Sequence, residues 1–597
     1  MRLFGHQYFL LAEIDLGIWN FYFIAKLFLY SARYIDFHVL PNLALASLLA
    51  IPVQHPRLRL LRQAIAVPAG ISLFYYDTWL PPISRVLSQA SQLWEFSLAY
   101  QMELAGRFFN PLPIAGIVVL YVVYFFAEKK IRRLTIFVFA AMLVPLLPIF
   151  AAPSAAHQMG LSYSIRDATP PSAGAGTDGI AGQPASADFT SSQILRPAKV
   201  SARSDYNPVA YAHKVAWEPS KNFRRIGSPA SPASNVAGPP TDALLNSFYR
   251  QEAARTVSFA PKESDAPFDV IFLQICSLSW DDLDFTKERE NPLFKRFNIV
   301  FTNFNSAATY SGPAAIRVLR GSCGQPKHNA LYDPASPQCL TFSNLQRIGF
   351  EPQLAMNHDG RFGGFLTDVR ERGGLKATPF DTKAAPPYLK SFDSSPIHDD
   401  YTVLSKWWEQ RLKNSSQRVA LYYNSVSLHD GNRFADGRSG NSMEIYHPRL
   451  TRLLSDLDRF FTELQMSGRR AVVVFIPEHG AAVRGDKMQI AGMREIPSPR
   501  ISIVPVGIKL IGLAENPAMH PLIVSKPASY LAVSKLLANF VSTSPFDKGG
   551  LSLEKYVLDL PSTEFVAENN DMIVTRHGKQ YFIRSKDAGW IEYDPWE

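Results

Sequence analysis

Five long apolar runs dominate the first 152 residues, and they constrain the fold more than any other feature of the sequence. A membrane-spanning helix needs roughly 20 mostly apolar residues. The first and fifth runs meet that requirement, and the second is marginal. The sequence therefore predicts an N-terminal α-helical membrane domain over residues 1–152, with about five spans. The runs are residues 16–32, 39–53, 64–80, 112–127 and 134–152.

Basic residues cluster in two short loops between these runs, and they predict the orientation of the domain. The positive-inside rule places both loops in the cytoplasm. With five spans, everything after residue 152 then lies outside. The basic residues are Arg57, Arg59 and Arg62 in one loop and Lys129, Lys130, Arg132 and Arg133 in the other.

Residues 153–240 change character, because they are rich in Ala, Pro, Ser and Gly and poor in large apolar side chains. Such a composition cannot bury enough surface to fold, so it predicts a flexible linker. The whole chain is 47% hydrophobic and 19% charged, which fits a membrane part joined to a water-soluble part. Its net charge of +9 includes no block of five or more basic residues, so no nucleic-acid partner is predicted.

Short β-rich runs alternate with amphipathic helical stretches from about residue 266 onward. Examples are "FDVIFLQI" and "AVVVFIPE", and the helical stretch 447–468. This alternation indicates an α/β domain with a mostly parallel central sheet covered by helices. The predicted catalytic domain covers residues 241–535. A C-terminal extension, 536–597, is expected to carry a β-hairpin, "DMIVTRHGKQYFIRS", packed on that domain.

Four strand-like runs are each followed by a residue that can bind metal or phosphate. In open α/β sheets, ligands bind beyond the carboxyl ends of the strands. Because these groups all follow strands, they are predicted to converge. They are Cys276, Ser311, His429, and the pair Glu478 and His479.

Each of these residues also has an ordinary structural interpretation. Cys276 alone is most simply a small buried apolar residue. Ser311 before Gly-Pro resembles a helix N-cap. His429 in a polar loop is more often solvated than catalytic, and Glu478 beside His479 is a common dipeptide. The metal-site interpretation depends on their joint position at strand ends.

If these groups converge, they form a mixed sulfur, oxygen and nitrogen site suited to Zn²⁺. A metal beside Ser311 would lower the pKa of its hydroxyl and favour nucleophilic attack. A helix beginning at Ser311 would also present backbone N–H groups to a phosphoryl group. His429 could move a proton at the leaving oxygen. The predicted reaction is phosphoryl-type transfer through a covalent seryl intermediate.

Several longer motifs resemble one known family. "NSAATYSGPAAIRVLRGSCGQ", "NHDGRFGGFL", "LHDGN", "PEHGAAVRGDKMQ" and "IPSPRISIVPVGIK" are similar to the cellulose phosphoethanolamine transferases of bacterial cellulose secretion, the BcsG family. "GIWNFYFIAK" and "YYDTWLP" extend the resemblance into the N-terminal part, and only the linker looks unrelated.

The resemblance implies an alkaline-phosphatase-like metalloenzyme of the bacterial inner membrane, multi-pass, with its catalytic domain in the periplasm. Such an enzyme transfers phosphoethanolamine from phosphatidylethanolamine to glucosyl 6-hydroxyls of exported cellulose. Subunits of the cellulose synthase complex are implied partners. The implied Zn²⁺ ligands are Cys276, Ser311, Glu478 and His479, with Ser311 as nucleophile and His429 and Tyr310 in supporting catalytic roles.

Other residues have less specific expectations. Arg484 and Arg494 follow the Glu-His pair and could bind phosphate oxygens, although each could equally be a solvated loop charge. His358 could border the substrate site. Cys323 and Cys339 are 16 residues apart, and in an oxidising periplasm they are expected to form a disulfide, with two free thiols as the alternative.

Three functions remain in competition at this point. The leading one is the zinc-dependent transfer to cellulose. A related transferase or hydrolase of the same superfamily could use another acceptor, such as lipid A or a glycerophosphate polymer. A membrane scaffold of the cellulose secretion complex, without catalysis, is the third.

Overall fold

The computed structural model describes residues 16–32, 35–53, 55–78, 96–108, 111–127, 134–146, 225–226, 238–261, 266–438, 440–486, 488–489, 491–514, 520–547, 552–570, 572–585 and 589–596. By contacts it divides into two compact units. One comprises Met1–Ser88 with Phe108–Asn207, and the other Gln89–Arg107 with Pro208–Glu597. Nearly all of the predicted linker lies outside the described residues.

The first unit is helical, and each of the five apolar runs overlaps a helix. Its helices are α1 (Ile18–Ser31), α2 (Val39–Ala50), α3 (Pro56–Asp77), α5 (Pro111–Ala127) and α6 (Leu134–Leu143), the last followed by a 3₁₀ turn (Val144–Leu146). The helix at the third run begins at Pro56, so Arg57, Arg59 and Arg62 lie in its first two turns and the loop expected there is wrong. None of the helices in the described part of the chain has both the length and the sustained hydrophobicity needed to cross a bilayer.

A buried polar cluster lies inside this unit. Lys26 in α1 pairs with Asp77 at the end of α3, with 2.5 Å between Nζ and Oδ2. Asn42 donates to the same oxygen at 2.9 Å, and His38 Nδ1 lies 2.7 Å from Asp77 Oδ1. Because buried charges are costly unless paired, this cluster fixes how α1, α2 and α3 pack.

The second unit is an α/β domain built on an eight-stranded sheet. The strand order is β1-β11-β3-β10-β9-β2-β7-β4. Only β10 runs antiparallel to its neighbours β3 and β9, so the prediction of a mostly parallel central sheet is confirmed. The strands are β1 (Arg225–Ile226), β2 (Asp269–Cys276), β3 (Ile299–Asn305), β4 (Glu351–Met356), β7 (Val419–Ser425), β9 (Ala471–His479), β10 (Ile503–Ile511) and β11 (Leu522–Val524).

Alternating side chains of the central strands feed two separate cores. In β2, Val270 and Phe272 join one core while Ile271, Leu273 and Ile275 join the other. Because successive side chains of a strand point to opposite faces, an all-apolar strand must be covered on both sides. Each fully buried large apolar side chain contributes about 1.5–3 kcal/mol, so the sheet is the stable frame for the residues at its edge.

Helices cover both faces. The N-terminal part of the unit contributes α4 (Leu98–Phe108) and α7 (Asp242–Ala253). The others are α8 (Trp280–Thr286), α9 (Pro292–Arg296), α10 (Ser311–Leu319), α11 (Thr341–Arg347), α12 (Phe365–Thr367), α13 (Asp400–Lys413), α14 (Tyr446–Met466), α15 (Pro499–Ser502), α16 (Tyr530–Ser542) and α17 (Leu553–Val557). Four short turns lie at Asn329–Tyr332, Pro337–Cys339, Phe362–Gly364 and Asp368–Arg372. α10 and α16 pack on one face, and α13 and α14 on the other.

The described residues of this unit also form two smaller sheets. One has the order β6-β5-β8, formed by Pro396–His398, Pro387–Lys390 and Arg433–Phe434. The other is antiparallel, β12-β13-β14-β15, formed by Val566–Asn569, Met572–His577, Gln580–Ser585 and Trp590–Tyr593. β13 and β14 form a hairpin in the stretch where one was expected. This sheet packs on Ile496 and Ile503 of the main domain.

Candidate metal centre

Cys276, Glu478 and His479 meet at the carboxyl ends of β2 and β9, two neighbouring strands in the middle of the central sheet. One donor atom from each lies within 4.8 Å of the others, and all three residues are buried. Cys276 Sγ is 3.8 Å from His479 Nε2, and His479 Nε2 is 3.7 Å from Glu478 Oε2. Three of the residues expected to converge therefore lie together, because β2 and β9 are parallel neighbours.

A register shift explains how two consecutive residues reach the same site. Ile275 pairs with Pro477, but Cys276 pairs with His479, so Glu478 is an extra residue on β9. In a regular strand Glu478 and His479 would point to opposite faces. A bulge breaks that alternation, and proline is tolerated in sheets at such positions.

The backbone after His479 lies close against Ser279 and Asp282, and Gly480 permits this close approach. A Cβ atom at position 480 would lie 2.6 Å from Ser279 Oγ and 2.9 Å from Asp282 Oδ2, which is too close for any other residue. Asp282 accepts a hydrogen bond from the Ala481 N–H at 2.8 Å. Its carboxylate therefore anchors the segment that follows the Glu-His pair. Sequence reasoning missed Asp282, although it lies in a capping box with Ser279 at the start of α8.

Ser311 lies at the start of α10, with its hydroxyl directed at the cluster. Its Oγ donates to Cys276 Sγ at 3.3 Å. Tyr310 occupies the N-cap position, and Ser311 is the first helical residue, so the N-cap interpretation of Ser311 is wrong. Ser311 is thus at the N-terminus of α10, an end of a helix that favours an anion.

A chain of hydrogen bonds orients the carboxylate of Glu478. Asn424 Nδ2 donates to Glu478 Oε1 at 2.6 Å, and His358 Nε2 lies 2.8 Å from Asn424 Oδ1. His358 Nδ1 accepts from the Gly360 N–H at 3.1 Å, so Nε2 carries the proton and donates to Asn424. His358 thus contacts Asn424, and its expected part in substrate binding stays a prediction. Asn424 was not predicted, although it is a polar side chain in a buried strand.

His479, the histidine of the metal cluster, has a defined tautomer. Its Nδ1 lies 2.9 Å from the Gly480 carbonyl and donates to it, which leaves the Nε2 lone pair facing Cys276. This arrangement is typical of metal-binding histidines. Burial lowers the pKa of His479 well below its usual range, and the positive charge of Arg494 lowers it further. Arg494 Nη1 donates to Ser277 Oγ at 3.2 Å.

His429 lies in the loop after β7, which is tied to the metal centre by its backbone. The Leu428 N–H donates to the Cys276 carbonyl at 3.1 Å. Arg449 Nη1 donates to the carbonyl oxygens of Ser427 and His429, each at 2.8 Å. Burial, reinforced by the positive charge of Arg494, lowers the pKa of His429 to about 4.

The remaining predicted site residues have contacts of their own. Tyr310 donates to Glu495 Oε1 at 2.6 Å, and Arg494 lies over its ring at 5.4 Å. Arg484 forms a two-pronged ion pair with Asp281, with Nη2 at 2.6 Å from Oδ1 and Nε at 3.2 Å from Oδ2. These contacts favour a structural role for Arg484 over the expected phosphate contact, whereas Arg494 lies beside the cluster.

Cys323 and Cys339 form a disulfide, which closes the segment after α10. Cys276 is the free cysteine among the described residues, and it is buried. The pairing expected from the sequence is present in the structure, and the alternative of two free thiols is wrong.

The electrostatics of the cluster fit a bound cation. Burial raises the pKa of the Cys276 thiol, and the nearby Glu478 carboxylate adds to the rise. Burial likewise raises the pKa of Glu478, although Ser311 and Asn424 oppose it. Glu478 Oε2 is buried and has no hydrogen-bond partner among the described residues. A divalent cation would satisfy that oxygen and stabilise the thiolate and carboxylate forms, and the donor set suits Zn²⁺.

Comparison with known proteins gives the family. The family model of the cellulose biosynthesis protein BcsG C-terminal domain matches residues 228–590, and that of the BcsG N-terminal domain matches residues 19–147. The chain belongs to the BcsG family. It is 38% identical to the BcsG protein of Salmonella typhimurium over 581 residues, which is 96% of each chain. The BcsG protein of Escherichia coli K12 is 37% identical over the same length, with the same coverage.

Solved structures are more distantly similar to this BcsG-family chain. A protein in the alkaline phosphatase superfamily from Vibrio parahaemolyticus has 13% identity and a TM-score of 0.41, covering 58% of this chain and 87% of that one. The C-terminal periplasmic domain of EptC from Escherichia coli has 12% identity and a TM-score of 0.38, covering 53% and 93%. These scores are too low to transfer a site or an activity.

Proposed function

We propose that the protein is a zinc-dependent phosphoethanolamine transferase that modifies exported cellulose, with Ser311 as nucleophile. The single observation that carries the proposal is the position of Ser311 Oγ, 3.3 Å from Cys276 Sγ at the start of α10. A hydroxyl beside a buried sulfur, carboxylate and imidazole has the surroundings that activate a nucleophile. Membership of a cellulose biosynthesis family supports the acceptor.

Cys276, Glu478 and His479 would hold the zinc ion, with Ser311 beside it. The ion would supply Lewis acidity and lower the pKa of the Ser311 hydroxyl. In the first half-reaction, Ser311 Oγ attacks the phosphorus of phosphatidylethanolamine. The bond from phosphorus to the diacylglycerol oxygen breaks, and diacylglycerol leaves with a proton. Arg494, a buried cation beside the cluster, neutralises charge on the phosphoryl oxygens.

In the second half-reaction, a glucosyl 6-hydroxyl attacks the phosphorus of the seryl adduct. Neutral His429 accepts the proton of that hydroxyl, since its pKa of about 4 keeps the imidazole unprotonated near neutral pH. The bond between phosphorus and Ser311 Oγ breaks, and the serine regains its proton. Modified cellulose leaves, and the site returns to its starting state.

The same proposal places the N-terminal unit in the bacterial inner membrane and the catalytic unit in the periplasm, next to the synthase subunits. Large apolar side chains cover the outside of α5, where Val118, Val119, Val123 and Phe126 are 56%, 62%, 57% and 68% exposed. Exposed apolar surface of this kind fits contact with lipid. The disulfide between Cys323 and Cys339 fits an oxidising compartment.

Mass spectrometry of the full-length protein under single turnover tests the proposal. With phosphatidylethanolamine alone, Ser311 is expected to gain a phosphoethanolamine group, and added cellulose is expected to remove it. Ser311→Ala should abolish both the adduct and the modification of cellulose. Ser405→Ala is the matched control, because Ser405 lies in α13 and donates to Glu463, away from the cluster.

Three outcomes would contradict the proposal. An adduct on a residue other than Ser311 would show that Ser311 is not the nucleophile. Diacylglycerol release without phosphoethanolamine on cellulose would favour another acceptor, such as lipid A. Unchanged cellulose modification in Ser311→Ala would favour the scaffold function.

A further inference from the structure

In the sequence, helix α4 lies between two of the apolar runs. The segment Gln89–Arg107, which includes most of this helix, nevertheless belongs to the same compact unit as the catalytic residues. The Ser97 N–H donates to the Phe392 carbonyl at 2.8 Å. Glu103 pairs with Arg433 at 2.6 Å. These contacts dock α4 beside β8 and the loop that carries His429.

Tyr100 of α4 contacts that loop directly. Its hydroxyl donates to Asp430 Oδ2 at 2.9 Å. Its ring lies against the backbone of Gly431, where a Cβ atom would be 2.9 Å from Tyr100 Cε2 and Cζ. Gly431 also has φ of +81°, so this close approach and this backbone conformation both require glycine.

Asp430 is held from several sides. Besides Tyr100, Ser442 Oγ donates to Asp430 Oδ1 at 2.5 Å, and the Gly431 N–H donates to the same oxygen at 2.9 Å. Glu103 of α4 accepts from the backbone N–H of Ser442, which lies 3.0 Å from Glu103 Oε1. α4 therefore acts on Asp430 twice, through Tyr100 directly and through Glu103 and Ser442.

The backbone of Asp430 in turn sets the ring of His429. His429 Nδ1 lies 2.6 Å from the Asp430 carbonyl oxygen, and donation through Nδ1 leaves the Nε2 lone pair to accept a proton. Phe392 packs against both rings, at 4.8 Å from His429 and 6.1 Å from Tyr100. A shift of the Asp430 peptide would rotate the imidazole away from its working orientation.

We propose that Tyr100 and Glu103 are positioning residues for His429 in the acceptor half-reaction. The inference rests on the proposed function, because it assigns His429 to the second step. Neither residue is placed at the metal centre, so the donor half-reaction at Ser311 should depend on them much less. A segment from the N-terminal part of the chain thus completes the catalytic unit.

The test compares Tyr100→Phe with a matched tyrosine variant in the full-length protein. Tyr249→Phe is the control, since Tyr249 is 7% exposed and donates to the carboxylate of Glu568 at 2.8 Å, whereas Tyr100 is 6% exposed. Both variants lose one buried tyrosine–carboxylate hydrogen bond. Glu103→Gln is the second variant of α4.

Single-turnover experiments with phosphatidylethanolamine, followed by addition of cellulose, separate the two half-reactions. We expect Tyr100→Phe and Glu103→Gln to slow transfer to cellulose by about tenfold or more, because general-base catalysis contributes roughly 100- to 10,000-fold and depends on geometry. Formation of the Ser311 adduct should change less than about threefold. The adduct should therefore accumulate in these variants and not in Tyr249→Phe.

Two results would overturn the inference alone. One is equal slowing of both half-reactions in Tyr100→Phe, and the other is transfer to cellulose at the same rate as in Tyr249→Phe. Absence of any Ser311 adduct in the wild-type protein would instead overturn the proposed function and this inference with it.

Discussion

The protonation state of His429 is the residue-scale feature with the most direct kinetic consequence. Burial and the charge of Arg494 lower its pKa to about 4, because both disfavour the imidazolium form. Since the pKa is lowered, the ring is neutral above about pH 4 and can accept a proton throughout the neutral range. A solvated histidine would instead lose this ability as the pH falls through about 6.5.

We therefore expect the rate of transfer from the Ser311 adduct to show no His429-dependent decline between about pH 7.5 and 5.5. His429→Gln should lower that rate by roughly 100-fold at every pH in this interval. The measurement is the single-turnover rate against pH for both proteins. A decline centred near pH 6.5 that disappears in His429→Gln would contradict the lowered pKa.

The residues that carry the chemistry were predictable at this scale, and those that orient them were not. Cys276, Glu478 and His479 are the last residues of their strands and not loop residues, but a polar group at the end of an apolar run is visible in a one-dimensional pattern. Asn424 is also near the end of its strand, β7, but a buried amide has many explanations. Its contact with Glu478 depends on the parallel pairing of β7 with β2 and of β2 with β9, which the sequence does not specify.

At the scale of elements, the strand β9 could be predicted from the sequence, but the bulge within it could not. The β-rich run before Glu478 predicts a strand, and the strand is present from Ala471 to His479. Pro477 marks the place where regular pairing fails. Which residue would become the extra one depends on the register with β2, so the joint orientation of Glu478 and His479 required the structure. The antiparallel direction of β10 also has no signal in its apolar pattern.

The disulfide stabilises the segment after α10. A covalent link between Cys323 and Cys339 closes a loop with a sequence separation of 16 residues. Closing a loop of that size lowers the entropy of the unfolded chain and is worth about 3 kcal/mol. We expect Cys323→Ser/Cys339→Ser to lower the free energy of unfolding of the catalytic unit by about that amount. Urea denaturation of the wild type and the double variant measures the difference.

Ser336→Ala, an exposed change in the same loop, should leave that free energy within about 0.5 kcal/mol of wild type. The double variant removes the disulfide without a reducing agent, so the chemical state of Cys276 stays the same in both proteins. A loss below about 1 kcal/mol would mean that the loop is already ordered in the unfolded chain.

At the scale of the whole molecule, the catalytic unit is assembled from distant parts of the sequence. The composition predicts where the apolar runs end and the linker begins, and each run overlaps a helix. It does not indicate that residues 96–107, between two of those runs, belong with the catalytic unit, because α4 has no long apolar run or motif of its own. Its docking depends on contacts such as Tyr100 with Asp430, which lie 330 positions apart.

The metal centre connects equally distant parts, so zinc should stabilise the whole catalytic unit. Its donors lie at the ends of β2 and β9, with Ser311 at the start of α10, and they meet only in the folded state. A ligand that binds only the folded state raises the free energy of unfolding by about 2.7 kcal/mol at 100 times its dissociation constant. We expect added zinc to raise the unfolding temperature of the full-length protein and a chelator to reverse the rise.

Cys276→Ala should abolish this response to zinc, because it removes one of three donors, while Ser405→Ala should retain it in full. The quantity to compare is the rise in unfolding temperature on addition of zinc. The unfolding temperature without zinc is not informative, because the cysteine substitution also changes core packing. Thermal unfolding with and without zinc, together with the metal content of each purified protein, gives both quantities. An equal zinc response in wild type and Cys276→Ala would place the stabilising ion elsewhere, and Ser311 would then lack the neighbour that its proposed reactivity requires.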